Sequence, residues 1–168
     1  MIPEELFTKE TLKKAWWLHD SFWHAALVQQ FGHTLANEIN LQVSEKIFRW
    51  VTITLLRKKV IKPPKTIQEL MYIFKTVWKN VFFDDLYIHE PIVYKGNTAV
   101  WTGSRCHAFD SLSRAGMLEG YACGCQALRN GVMKVLRLKP IHRIKQSLVQ
   151  GGDSCIIEVT FEPAKKSE

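Results

Sequence analysis

Apolar residues recur at three- and four-residue intervals over the first half of the chain and at alternate positions over much of the second. Thr8 is a helix cap, followed by Leu12, Trp16, His19, Trp23 and Ala26 on one stripe, with Phe31-Gly32 as the expected end. A second helix, from about Thr34 to Val60, carries Ala36, Ile39, Val43, Ile47 and Trp50. Glu38, Gln42, Glu45 and Arg49 form its opposite stripe, with Glu45 and Arg49 at ion-pair spacing. Lys62-Pro63-Pro64-Lys65 breaks the pattern, because proline lacks the amide hydrogen a helix interior needs. Thr66-Ile67-Gln68-Glu69 is a capping box, and Leu70, Phe74, Val77, Trp78 and Val81 give a third helix its apolar face.

Strand character follows. Tyr87–Tyr94 and Thr98–Cys106 are rich in β-formers and flank Lys95-Gly96-Asn97, a hairpin turn. Gly116 to Gly120 leads into a helix from about Tyr121 to Leu136, with Tyr121, Cys125, Leu128, Val132 and Val135 on its stripe. Its small residues Ala122, Gly124, Ala127 and Gly131 are expected to let it lie close to a sheet. Pro140 opens a third strand, and Cys155–Phe161 forms a fourth after the Gly151-Gly152 turn. The expectation is an α+β single domain over residues 1–168. A helical half (about 8–82) packs with a small antiparallel sheet of two hairpins separated by a helix (about 86–162).

At 168 residues, 46% hydrophobic and 23% charged, the chain has the make-up of one globular domain with a sizeable core. No apolar run is long enough to predict a transmembrane span, and the richest stretch, Ile47 to Leu56, is interrupted by Arg49. Met1-Ile2-Pro3-Glu4-Glu5 has no apolar signal region, so the expected setting is cytoplasmic and the four cysteines are expected to be reduced. The net charge of +7 is spread over Arg57-Lys58-Lys59, Lys62, Lys65, Arg137, Lys139, Arg143, Lys145 and Lys165-Lys166. None of these clusters matches a nucleic-acid-binding signature, and an anionic small molecule accounts for part of the charge as well.

All four cysteines lie in the last third: Cys106, Cys123, Cys125 and Cys155. That clustering predicts convergence on one site, and thiolates are both soft metal ligands and strong nucleophiles. Cys155 alternates with Ile157, Val159 and Phe161 and so faces the packed side of its strand. Cys125 lies on an apolar stripe, which leaves Cys123 as the better reactive candidate. All four are candidate metal ligands, with zinc the possible ion, although Cys-Gly-Cys is shorter than the usual structural zinc spacing. Asp20 and His24 stand one helical turn apart, so the carboxylate can orient the imidazole as a base, or both can join a ligand set. A solvated surface pair is the plainer alternative. His19 reads as a hydrogen-bonded core residue, and His89, His107 and His142 carry little signal.

The chain resembles the L-2-amino-thiazoline-4-carboxylic acid hydrolase-like family, related in pattern to the 4-vinyl reductase-type small-molecule-binding domains. The resemblance rests on Cys106, on Gly116 ahead of Cys123 and Cys125, on Arg143, and on Gly151-Gly152-Asp153-Ser154-Cys155-Ile156-Ile157. The opening Trp17-Leu18-His19-Asp20-Ser21-Phe22-Trp23 through Glu38-Ile39 is similar as well. It implies a hydrolase acting on a carbon–nitrogen bond of a small anionic cyclic compound. A cysteine would be the nucleophile, or would bind a metal that activates water. Arg143 would pair with a substrate carboxylate, Trp23 and Glu38 would be further substrate contacts, and Asp20 and His24 would transfer protons. Two alternatives stay open: a non-catalytic sensor domain with a cysteine zinc site, and an adaptor forming a homodimer through its long helices.

Overall fold

The computed structural model describes residues 8–82, 87–89, 91–139 and 141–162. Helix α1 runs Lys9–Arg57, capped by Thr8, whose hydroxyl accepts from the Thr11 amide at 3.1 Å. Gly32, with φ 78°, sits outside helical geometry and kinks α1 where the sequence predicted an end. Helix α2 spans Ile67–Val81. Its Thr66 cap accepts from the Glu69 amide at 3.2 Å, and its expected face is buried at Leu70, Phe74, Val77 and Trp78. Lys13 of α1 donates to the carbonyls of Lys79 and Phe82 at 3.1 and 2.8 Å, placing a cation at the negative end of α2.

The sheet is antiparallel throughout. Strands β1 (Tyr87–His89) and β2 (Val93–Lys95) share one edge of β3 (Thr98–Cys106), each pairing with a different end of it. Pro91 lies between them, where an unbroken strand was expected. β3 pairs with β5 (Cys155–Thr160), and β5 with β4 (His142–Gln146), giving the order β1-β3-β5-β4. Pro140 and the tail lysines 165 and 166 lie outside the described residues. Between the two hairpins are α3 (His107–Arg114), which the sequence reading missed, and α4 (Cys125–Val135). The core joins Phe48 and Leu55 of α1, the buried face of α2, Ala99 and Trp101 of β3, Val132 and Met133 of α4, and Val159 of β5.

Three details correct the sequence reading. The first stripe assigned to α1 faces outward: Leu12, Trp16 and Trp23 are exposed, and His19 is exposed and stacked on Trp16 at 5.7 Å. The inward face is instead Trp17, Ser21, His24 and Ala25, with Trp17 stacked on Phe82 at 4.6 Å. Second, α4 begins at Cys125 rather than Tyr121. Gly120 has φ +74°, and the Asn37 side chain holds the backbone on both sides of Tyr121, donating to the Gly120 carbonyl at 2.6 Å and accepting from the Ala122 amide at 3.0 Å. Third, the small residues of α4 serve α1 and not the sheet, since a Cβ at Gly131 would meet the Glu45 carbonyl oxygen at 2.5 Å.

Candidate functional site

Four elements deliver the cysteines to one place. Cys106 ends β3 and stands at the start of α3, where the amides of Phe109 and Ala108 hydrogen-bond to its sulfur. Cys123 and Cys125 bracket the first residue before α4. Cys155 opens β5 opposite Gly103, and its sulfur accepts from the Leu148 amide at 3.5 Å. All four are free thiols, and all four line one inner chamber of about 50 Å³ together with Trp78, Trp101 and Arg129. The convergence expected from the clustering is therefore present.

A larger cavity of about 350 Å³ adjoins it. Cys106, Cys123, Cys125 and Val149 line both spaces, so the thiols form the wall between them. Asp20 and His24 of α1 face the outer cavity with Tyr121, His107 and Ser111. The three residues expected to carry catalysis, Cys123, Asp20 and His24, thus line the same space. His24 meets the Tyr121 ring edge-on at 5.5 Å, but its buried Nδ1 has no hydrogen-bond partner among the described residues, so the orienting bond from Asp20 is not formed.

The electrostatics of the wall are uneven. The Cys125 thiol hydrogen-bonds to the Cys123 sulfur and, with the Cys125 amide and the Arg129 guanidinium helping against burial, pulls Cys123 down to about 6. The same hydrogen bond and burial push Cys125 well above the usual thiol range. Burial pushes Cys106 up to about 11 and the Tyr121 hydroxyl well up. Of Cys106, Cys123 and Cys125, Cys123 is the one drawn toward the thiolate, although it precedes α4 and so lies on no stripe of that helix. Burial raises Asp20 and lowers His24, each partly opposed by the other. Both shifts favour the neutral forms.

Arg129 is the residue the sequence reading overlooked. It lies one turn beyond Cys125 on α4, is 0% exposed, and has Cys125, Cys123 and Cys155 as its electrostatic neighbours. Its Nε and Nη2 are buried without a hydrogen-bond partner among the described residues. Burial and the Arg129 charge together push its neighbour His142 down to about 4. Among the described residues no group of three His, Cys, Asp or Glu side chains that could hold a metal ion is found. The Arg129 guanidinium is a cation beside the sulfurs.

Three expected substrate contacts lie elsewhere. Arg143 is exposed on β4, paired in register with Glu158, and lines neither cavity. Trp23 is 60% exposed; Trp17, on the adjoining face, lines the outer cavity in its place. Glu38 is exposed and accepts from Gln42 at 3.3 Å. All three belong to helix or strand faces turned away from the thiols. His107, which carried little signal, opens α3 and faces the outer cavity within 3.4 Å of the Ser111 hydroxyl. No helix among the described residues is long and apolar enough to cross a membrane.

No protein-family model matches the chain, and no curated protein matches it.

Proposed function

We propose that the protein is a hydrolase that opens a carbon–nitrogen bond in a small cyclic compound, with Cys123 as nucleophile. The observation that carries this reading is the place of Cys123 at the wall of a cavity of about 350 Å³ that Asp20, His24 and His107 also line, with its thiol drawn down by Cys125. That volume suits a compound of one small ring. The Cys123 sulfur forms a bond to the electrophilic carbon, and the ring carbon–nitrogen bond breaks as the leaving nitrogen takes a proton. Asp20, His24 and His107 stand around the cavity to supply it. Water then adds to the thioester-like carbon, the carbon–sulfur bond breaks, and the thiolate returns. The reading requires reduced thiols and hence a cytoplasmic setting.

A binding-only role is the second reading, favoured by one observation: His24 Nδ1 makes no orienting hydrogen bond. Turnover separates the two. A panel of five-membered cyclic amides and amidines is incubated with the protein and ring opening is followed by chromatography. The hydrolase reading expects turnover that disappears in Cys123→Ser and survives in Cys155→Ser. Turnover undiminished in Cys123→Ser removes Cys123 as nucleophile, and binding without any ring opening selects the sensor reading.

A further inference from the structure

We infer that the inner chamber is a carboxylate subsite, in which Arg129 takes the acid group of a small monocarboxylate through its Nε and Nη2 edge. This rests on the reading above for the reacting carbon, which lies beside Cys123 at the shared wall.

The Nε–H and the adjacent Nη2–H of a guanidinium point in parallel, at the spacing of two carboxylate oxygens. These are the two atoms of Arg129 that are buried without a partner among the described residues. A shielded cation with two unpartnered N–H groups is costly, and the cost is offset when an anion arrives to accept from them. Among the described residues the lining of the chamber includes no Asp or Glu, its other cation, Arg105, is held by Asp110 at 3.1 Å, and the one anion it offers is the Cys123 thiolate. The Cys123 thiolate does not use up the guanidinium, because neither Nε nor Nη2 has a hydrogen-bond partner among the described residues.

Size fixes the orientation. About 50 Å³ holds one or two water-sized groups, enough for a carboxylate and too little for a ring. The ring is then assigned to the larger cavity, which shares Cys106, Cys123, Cys125 and Val149 with this chamber. Trp78, Trp101, Leu148 and Ile157 make the chamber apolar, which strengthens the ion pair.

The test is calorimetric titration of the wild-type protein with benzoate and with nitrobenzene, its planar neutral isostere, neither of which offers a carbon–nitrogen bond for hydrolysis to open. Benzoate is expected to bind at least about tenfold more tightly, a difference that shrinks in Arg129→Lys and vanishes in Arg129→Gln. A crystal structure of the wild-type complex is expected to place the carboxylate on Nε and Nη2, which serves even where a variant does not fold. Equal affinity for the two probes, no binding of benzoate, or a carboxylate seated away from Arg129 overturns the proposal. Benzoate discrimination in a protein that opens no ring would instead sink the hydrolase reading and leave this subsite standing.

Discussion

The thiol of Cys125 hydrogen-bonds to the sulfur of Cys123, two residues before it, and the pair splits into one acidic thiol and one that stays protonated. Gly124 between them lies against Ser44 of α1, where an added Cβ would stand 3.2 Å from the hydroxyl. The segment is thus fixed against the long helix while its two sulfurs face the cavities.

Alkylation rates should expose this difference. Only thiolate reacts with iodoacetamide, and an ordinary cysteine ionises near about 8.5. With Cys123 at about 6, its labelling should be half-maximal near that pH and level above neutrality, while Cys106, at about 11, stays silent. Peptide mass analysis gives the rate at each site. A Cys123 rate still climbing about tenfold between about pH 7 and pH 9 would show an ordinary thiol.

Cys125→Ala tests the cause. The variant loses the sulfur donor but keeps the amide donor and Arg129, so the labelling midpoint of Cys123 should climb without reaching that of a free cysteine. An unmoved midpoint would transfer the effect to Arg129 and the α4 N-terminus.

Helix α2 was readable because each of its buried positions is apolar and its cap stands at Thr66. Helix α1 was not. Apolar residues lie on several sides of it, and its inward positions include Ser21, His24 and Ser44, which line the outer cavity. A hydrophobic pattern cannot select the face that turns toward a cavity, and so Trp16 and Trp23 were placed inside when they are outside. The cysteine site was legible from clustering alone. Arg129 was not, because a charged residue between Leu128 and Asn130 reads as a helix edge. Its only sequence signal is its position one turn beyond Cys125 on the stripe that carries Leu128 and Val132.

The contact between α1 and α4 is expected to reject any side chain at Gly131. A Cβ there would stand 2.5 Å from the Glu45 carbonyl oxygen and 3.2 Å from the Arg49 nitrogen, both backbone atoms of α1. Alanine gains about 1 kcal/mol of helix propensity over glycine, but overpacking against backbone costs about 1–3 kcal/mol. Gly131→Ala should therefore lower the melting temperature. An unchanged or higher value would show that the two helices can part at no cost.

Arg143→Lys should do almost nothing. Its side chain is exposed on β4 and lines neither cavity. Stability should stay within about 0.5 kcal/mol and benzoate affinity should not change. A loss of affinity would return Arg143 to the site and remove Arg129 as the sole anchor.

Arg129→Met should separate stability from reactivity. Methionine fills similar space without a charge to desolvate, and where Cys123 is protonated the substitution leaves no buried anion behind. Near about pH 5 the denaturant midpoint is therefore expected to rise, while Cys123 labelling near neutral pH slows because its cation is gone. The size of the gain should depend on pH. In the wild type, Cys123 ionises below its unfolded value of about 8.5, so its ionisation contributes fully to stability above that value. The contribution fades as pH falls toward about 6, where the thiol protonates and Arg129 loses its nearest anion. The advantage of the Met variant should accordingly be greater near about pH 5 than near about pH 8. Denaturant melts of both proteins at the two pH values check this. A variant less stable at both, with Cys123 labelling unchanged, would mean that Arg129 is a structural residue whose charge the thiols do not feel.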